Sequence, residues 1–516
     1  MSSATTPNLT GQNQPVLSDG KAPSSYGQII KSSALIGGAS VVNIVLGVIR
    51  TKFLAILLGP AGVGLMGTYT AITSTVSALA GMGFNSSGVR QIAEAAATGE
   101  AATIGHTATV LRKATLWLGA AGAVLLLVFS QSISRLTFGS PKHANALALL
   151  SVTVFFTVVA GGQTALVQGM RRVGDLARLN VVGACLGTLL GIPVLWVLGQ
   201  RGLAPFMVTI SATAILASWW YARKIQIARV RLTWREVRPQ ARLLLNLGLA
   251  FMASGLMTSL VLYAARVIIM RQLDLEATGH YQAAWTLSTF YVGFILQAMG
   301  ADFFPRLTAA AGDDDRCRRL INEQIEVGLL LAAPGILATL TLAPFVIGVF
   351  YSGKFGPAIE ILRWQILGVL LRVVTWPMGY LLAAQGHTRL FFWSEMLASL
   401  LHAALIWLGV RYWGLVGAGV AFFVLYLAYF GVMTFLLRRL IGYGWSRRNT
   451  RLGLVVFPAA AVVFCAIQLL PRLWGLALAG SVTLLVSFLC FRWFCQVASP
   501  TGLRGLLVRL RDKMAL

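Results

Sequence analysis

Six basic residues lie within, or at the ends of, long apolar stretches and are the first candidates for chemistry: Arg50, Lys52, Arg266, Arg271, Arg363 and Arg372. A charge inside hydrocarbon is costly, so an intramembrane cation usually marks a substrate or ion pathway. A guanidinium group binds phosphate through parallel, charge-assisted hydrogen bonds that fix its geometry. These six residues are therefore predicted to bind an anionic group such as a diphosphate.

Two interpretations remain open for the basic residues near the ends of apolar runs. Arg50, Lys52 and Arg271 either line a cavity or extend their side chains to the outer headgroups of a bilayer. Arg372 lies too deep for the second interpretation, and for Arg372 and Arg266 we favour a cavity.

Three further groups are candidates for coupling movement of a substrate to an ion gradient: Glu395, Asp302 and His402. Glu395 could instead form a structural ion pair with Arg372. A lone histidine on an apolar helix is more often a packing residue than a proton carrier, which is the interpretation favoured for His402.

Enzymatic signatures are missing from the sequence. The five cysteines show no metal-ligand spacing, and no G-x-x-x-x-G-K-[ST] sequence is present to bind ATP. The acidic run 313–315 is followed by arginines and reads as a solvated helix start. The predicted outer loops are too short for the catalytic groups of a glycan polymerase or ligase. We therefore expect no metal site, no cofactor and no enzymatic activity.

The elements that position these residues are membrane helices. The sequence has 516 residues, of which 57% are hydrophobic and 11% charged, far from the roughly 25% charge of soluble domains. A spanning helix needs roughly 20 apolar residues. Fourteen runs qualify, at about 29–50, 61–83, 114–135, 145–170, 177–199, 203–222, 244–270, 281–304, 325–351, 359–384, 389–411, 413–437, 452–470 and 473–495. The fold class expected is an all-α membrane protein.

The distribution of charge predicts the topology. The net charge is +26, but the arginines lie between apolar runs and do not form a patch interleaved with aromatic residues, so nucleic acid is not an expected partner. Most Lys and Arg residues fall on one side if both termini are cytoplasmic, as the positive-inside rule requires. The basic segment 223–242 is expected to lie on anionic membrane lipid.

The first twelve helices divide into two related sets of six. Arg50 and Arg266, like Arg90 and Arg306, occupy matching places at an offset of 216 residues. Parallel repeats with a substrate site between them are typical of transporters. The predicted boundaries are a disordered tail at 1–28, an N-lobe at 29–222, a linker at 223–243, a C-lobe at 244–437, an additional hairpin at 438–495 and an amphipathic tail at 496–516.

One stretch of the sequence resembles a known family. The segment RTKFLAILLGPAGVGLMGTYTAITSTVSALAGMGFNSSGVRQIAE contains a G-P-x-G-x-G turn at residues 59–64 that follows a basic helix end. With AAQGHTR at residues 383–389, it is similar to the Wzx-type oligosaccharide flippases of the MATE-like MOP superfamily. The resemblance covers residues 29–440, and the two extra helices resemble those of the fourteen-helix lipid II flippases.

The resemblance implies two six-helix bundles around a cationic lumen, alternating access, and an undecaprenyl-diphosphate-linked glycan as substrate. It places the protein in the bacterial inner membrane, within surface polysaccharide biosynthesis, with a polysaccharide polymerase and chain-length machinery as further expected partners. The alternative is an ion-coupled drug or cation antiporter of the same superfamily. An antiporter predicts an acidic lumen, whereas the deep charges in this sequence are mostly arginine.

Overall fold

The computed structural model describes residues 25–225 and 234–497. Most of the tail predicted at 1–28 and most of the amphipathic tail at 496–516 lie outside these residues. The described part is helical and contains no strand. Its helices are α1 (Ser25–Gly81), α2 (Phe84–Ala97), α3 (Ala101–Val128), α4 (Ser130–Phe138), α5 (Ala144–Gly169), α6 (Val173–Leu198), α7 (Leu203–Ala222), α8 (Trp234–Gln272), α9 (Leu275–Ala309), α10 (Asp314–Thr341), α11 (Ala343–Phe350), α12 (Ala358–Ala384), α13 (Thr388–Ile441), α14 (Arg447–Leu469) and α15 (Arg472–Val497). The all-α membrane class predicted from composition is confirmed.

Nine helical stretches within the described residues are long and apolar enough to cross a membrane. Three of them, of 44, 50 and 53 residues, are about twice the length that one crossing needs. Each of the three contains a backbone break: Gly59 in α1, Gly199 between α6 and α7, and Gly414 in α13. The helices α8 and α9, of 39 and 35 residues, also exceed the length of one crossing.

The chain reverses direction within α13. Gly414 has φ 58° and ψ −144°, a combination that favours glycine because a Cβ atom would be strained there. Gly409 and Gly417, on either side of it, pack backbone against backbone, and a Cβ added to Gly417 would lie 1.9 Å from the Gly409 carbonyl oxygen. The 54-residue helix is therefore two helices joined by a tight turn.

The order of elements recurs along the chain. The series α3, α4, a 3₁₀ turn, α5 and α6 is followed by the break at Gly199 and then by α7. The series α10, α11, a 3₁₀ turn, α12 and the first part of α13 is followed by the break at Gly414. The two glycines differ by 215 in number and have nearly the same backbone angles. We call the part up to α7 the first half and the part from α8 to α13 the second half.

Three boundaries differ from the hydropathy prediction. The runs predicted at 114–135 and 325–351 each contain a break, at Phe129 and at Leu342, so α4 and α11 are separate short helices. Hydropathy did not detect these breaks because the sequence stays apolar across them. In addition, α8 begins at Trp234, inside the predicted linker.

Helix α2 was not predicted, because it is amphipathic and too polar to register as a span. It buries Phe84 and Ile92 in a small core with Leu111 and Leu166 of the first half. The rest of the apolar core is a single large cluster that extends from α1 through α15.

Glycines let the two halves approach closely where α1 meets α9. Gly59 has φ 65° and turns the chain into Pro60. A Cβ added to Gly279 would lie 1.9 Å from the Pro60 carbonyl oxygen, and one added to Gly64 would lie 2.4 Å from the Leu275 carbonyl oxygen. The G-P-x-G-x-G turn identified in the sequence is therefore an inter-helix contact that tolerates only glycine.

Candidate functional site

The guanidinium of Arg266 donates hydrogen bonds to its neighbours from all three of its nitrogen atoms. Arg266 is 6% exposed; its Nε and Nη2 donate to Gln282 Oε1 at 2.9 and 2.6 Å, and its Nη1 donates to the Leu262 carbonyl oxygen. Gln282 in turn donates to Thr286 and lies against Gly67 of α1. A buried charge must be compensated by hydrogen bonds, and here the protein itself supplies them. In this conformation Arg266 has few donors left for a substrate.

The side chains of Lys52 and Arg271 contact the C-terminal ends of two short helices, α11 and α4. The ammonium of Lys52 on α1 donates to the carbonyl oxygens of Gly348, at 2.7 Å, and Tyr351, both at the end of α11. Arg271 on α8 approaches the end of α4, where its Nη2 lies 3.5 Å from the Arg135 carbonyl oxygen. A cation at the C-terminus of a helix is stabilised by the unpaired carbonyl groups there. We call these two interactions the latch contacts.

The latch contacts join the two halves of the chain reciprocally. Lys52 belongs to the first half and binds α11 of the second, whereas Arg271 belongs to the second half and binds α4 of the first. Helices α4 and α11 hold equivalent places in the repeated order of elements. A 2.6 Å hydrogen bond between the hydroxyls of Thr137 and Tyr263 reinforces the α4–α8 contact.

Arg363 and Arg50 differ in their surroundings. Arg363 is buried and donates to Glu360 at 2.5 Å, and Glu360 also accepts a hydrogen bond from Gln468 of α14. Arg363 therefore takes part, through Glu360, in a polar contact between α12 and α14 of the additional hairpin. Arg50 is half-buried on α1, and its side chain makes no hydrogen bond or ion pair with any residue in the described part of the chain.

Arg372 lines a cavity of about 320 Å³ in the second half, which we call the C-terminal cavity. Its walls come from α9, α12 and both parts of α13. Its polar and aromatic lining is Phe304, Arg372, Thr375, Trp376, Tyr380, Phe391, Glu395, Tyr426 and Tyr429. The guanidinium of Arg372 has no hydrogen bond or ion pair within residues 25–225 and 234–497. This cavity therefore holds a guanidinium group with free donors.

Glu395 lies in the same cavity without pairing with Arg372. The Tyr429 hydroxyl donates to Glu395 Oε1 at 2.8 Å, and the two charged groups form no ion pair among the described residues. The structural pair between Glu395 and Arg372 that the sequence suggested is therefore wrong for this conformation. The cavity offers a cationic donor and an anionic acceptor at separate points.

A second cavity, of about 280 Å³, lies where the end of α1 and the helices α2, α3 and α5 meet α8. Its lining is mostly small and uncharged: Ser77, Gly81, Asn85, Ser86, Thr115, Thr157 and Gly161, with Met252 and Gly255 from the second half. We call it the N-terminal cavity. The repeat of 215 residues that relates Gly199 to Gly414 also relates Thr157 to Arg372 and Gly161 to Trp376. The two cavities therefore share these equivalent positions of α5 and α12.

The two remaining candidates lie apart from both cavities. Asp302 is exposed near the end of α9 and forms an ion pair with Arg306 at 3.1 Å, and Arg306 also reaches Glu323. His402 is buried between Trp285 and Phe422, and its Nε2 atom has no partner among the described residues. This environment supports packing as the role of His402.

The six predicted cations therefore do not form one shared cavity. The sequence also gave no reason to select Gln282, the partner of Arg266, or the aromatic residues Trp376, Tyr380, Tyr426 and Tyr429. A signal for Trp376 and Tyr380 was present in hindsight: they follow Arg372 at intervals of four residues and so share its helix face.

Comparison with known proteins identifies the fold and the family. The family model described as "Polysaccharide biosynthesis protein" matches residues 53–360. The "Lipid III flippase" of Escherichia coli (strain K12) is 24% identical over 423 residues, covering 78% of this chain and 97% of that protein. The Shigella flexneri protein of the same name matches equally.

Solved structures of the MOP superfamily share the fold. An inward-facing multidrug resistance MATE family transporter has a TM-score of 0.68 at 16% identity, covering 78% of this chain and 94% of that one. The lipid II flippase MurJ, in an inward closed conformation, also has a TM-score of 0.68, at 14% identity over 90% of this chain and 99% of that one. The superfamily resemblance seen in the sequence is confirmed. Because the family model matches more than half of its length, the chain belongs to the polysaccharide biosynthesis protein family.

Proposed function

We propose that this protein is a flippase that moves an undecaprenyl-diphosphate-linked oligosaccharide from the cytoplasmic to the outer leaflet of the bacterial inner membrane. The observation that carries the proposal is a cavity in the second half that presents the guanidinium of Arg372 and the carboxylate of Glu395 within a largely apolar helical protein of the polysaccharide biosynthesis family. The relatives named as lipid III flippases, matched over nearly their whole length, support the same class of substrate.

The architecture proposed for this function has fourteen crossings, in two six-helix lobes and a C-terminal hairpin. Three double-length apolar stretches with internal breaks support that count, as do the long helices α8 and α9. The recurring order of elements supports two parallel lobes. With both termini cytoplasmic, as the positive-inside rule indicates, the latch contacts lie on the outer side.

The binding step is assigned to the cations that keep free hydrogen-bond donors. Arg50 and Arg372 meet this condition most fully, because their guanidinium groups have no partner among the described residues, whereas Arg266, Lys52 and Arg363 each donate to groups of the protein. In the conformation with the outer latch contacts formed, the glycan head enters from the cytoplasm while the polyprenyl tail stays in lipid. Rocking of the lobes then breaks the latch contacts and exposes the head to the outer side.

Glu395 remains the candidate for ion coupling, because it is the carboxylate that lines the same cavity as Arg372. A drug or cation antiporter is the second candidate, and the MATE structures share its fold. It fits less well, because the matching family model is that of polysaccharide biosynthesis proteins and the relatives matched over nearly their whole length are named as lipid III flippases. The proposed partners, a polysaccharide polymerase and its chain-length machinery, would receive the translocated substrate.

The test is depletion of the protein followed by mass spectrometry of polyprenyl-diphosphate-linked intermediates, with a leaflet-accessibility probe applied to intact and to opened cells. We expect one lipid-linked oligosaccharide to accumulate where the probe reaches it only in opened cells. An unchanged pool and leaflet distribution in cells that require the protein would contradict the flippase and favour the antiporter.

A further inference from the structure

The C-terminal cavity has the dimensions and lining of a sugar site. Arg372, Trp376 and Tyr380 are spaced by four residues along α12, so they share one face and extend over about 12 Å of helix axis. The rings of Trp376 and Tyr380 have centroids 4.6 Å apart, and Phe304 packs on Tyr380 at 5.5 Å. A pyranose ring presents an apolar face of C–H groups, which stacks on the face of an indole or phenol ring.

The charges in this cavity favour a ring with hydroxyl groups over a bare diphosphate. Arg372 and Glu395 have opposite charges, so the cavity carries no net charge from its ionisable lining. A free diphosphate would have to enter beside the carboxylate of Glu395, which repels it. A sugar can donate its hydroxyls to Glu395 and, at another position, present a single anionic substituent to Arg372.

The equivalent positions in the first half lack these features. Where the second half has Arg372 and Trp376, the first half has Thr157 and Gly161. Space for the indole is built into α9, because a Cβ added to Gly300 would lie 2.9 Å from the Trp376 ring. The aromatic and charged lining is therefore particular to the C-terminal cavity and is not a property that both halves share.

We propose that the C-terminal cavity binds one sugar ring of the transported glycan, a ring that carries or adjoins an anionic group. Trp376 stacks on the ring, Glu395 accepts from its hydroxyls while Tyr429 holds the carboxylate in place, and Arg372 binds the anion. This inference rests on the proposed flippase function. The anion is either a carboxylate on the ring or a phosphate ester attached to it.

The test is saturation-transfer difference NMR on the purified full-length protein in nanodiscs. The probes are glucuronate, glucose 1-phosphate, glucose and inorganic pyrophosphate. We expect saturation of ring protons for at least one anionic sugar, and binding of glucose at least 10-fold weaker. A signal for glucuronate assigns the anion to a carboxylate, and a signal for glucose 1-phosphate assigns it to a phosphate ester.

Two variants decide whether the cavity is responsible. Trp376→Leu removes the stacking surface and should weaken binding at least 10-fold, whereas Trp376→Phe should retain part of it. Trp393→Leu is the matched control, because Trp393 is 60% exposed and lies outside the cavity. The proposal is overturned if neither anionic sugar binds, if Trp376→Leu binds like the control, or if pyrophosphate binds more tightly than both sugars. The leaflet assay tests translocation separately, so normal translocation without ring binding would refute this site alone.

Discussion

Replacing Lys52 by methionine should shift the protein away from the conformation with closed latch contacts. Lys52 Nζ donates to two carbonyl oxygens at the end of α11, and methionine keeps a similar apolar stem without the charge. A hydrogen bond to a charged group contributes about 1.5–3 kcal/mol. Because the bond to Gly348 is solvent-exposed, we take the lower limit, about 1.5 kcal/mol, which corresponds to a change of slightly more than roughly 10-fold in the population ratio of the two conformations.

The assay is electron paramagnetic resonance distance measurement across the latch. Spin labels are placed at Phe53 on α1 and Val349 on α11, both of which are exposed, in a background without the five native cysteines. The Lys52→Met variant should show a larger population at long distance. Lys354→Met is the matched control, because Lys354 is exposed in the loop after α11 and bonds to none of the described residues. Equal distance distributions for the two variants would refute the latch.

Three other substitutions test the packing. Gly279→Ala should lower the melting temperature in a thermal-shift assay and the yield of folded protein, because its Cβ would lie 1.9 Å from the Pro60 carbonyl oxygen. Gly255→Ala is the control, because a Cβ there has open space, and it should behave like the wild type. Gln282→Leu should cost about 1.5–3 kcal/mol, because it removes the neutral acceptor of the buried Arg266 guanidinium. Adding Arg266→Leu should recover much of that loss in the same assay. His402→Phe should leave translocation in the leaflet assay unchanged, since His402 packs among aromatic rings; abolished translocation in a stable variant would instead make it a proton carrier.

Several close contacts between the two halves share one side of the protein. The latch contacts and the Pro60–Gly279 contact connect the two halves on the side that we assign to the outer leaflet. Opening that side requires these contacts to separate, which is why the Lys52→Met experiment is informative.

The opposite side, which we propose to be cytoplasmic, holds a different contact between the halves. A Cβ added to Gly83 would lie 2.1 Å from the Gly248 carbonyl oxygen, so the start of α2 meets α8 backbone to backbone. Among the side chains that the structure describes, no charged group takes part in this glycine contact. We expect it to separate more readily than the latch contacts, in which cations bind helix-terminal carbonyl groups.

Hydropathy determined the fold class from the sequence alone, because a chain with so few charges can satisfy its backbone in a membrane only by forming helices or a closed barrel. The segment around Gly59 and Pro60 also identified the superfamily, since only glycine permits the close contact of α1 with α9. Breaks at Phe129 and Leu342 escaped prediction, because helix ends inside apolar runs leave hydropathy unchanged.

Only the tertiary structure decided which of the basic side chains have hydrogen-bond donors available for a substrate. From sequence, Arg266 and Arg372 looked alike, as deep arginines on apolar helices. Arg266 is bonded to Gln282 of a neighbouring helix, whereas Arg372 faces a cavity whose aromatic walls come from α9, α12 and both parts of α13. The hydrogen-bond partners of a side chain come from helices distant in sequence, so charge and depth along one helix cannot reveal whether a guanidinium group is satisfied. That information lies in how the helices pack, and it is what distinguishes a structural arginine from a binding one.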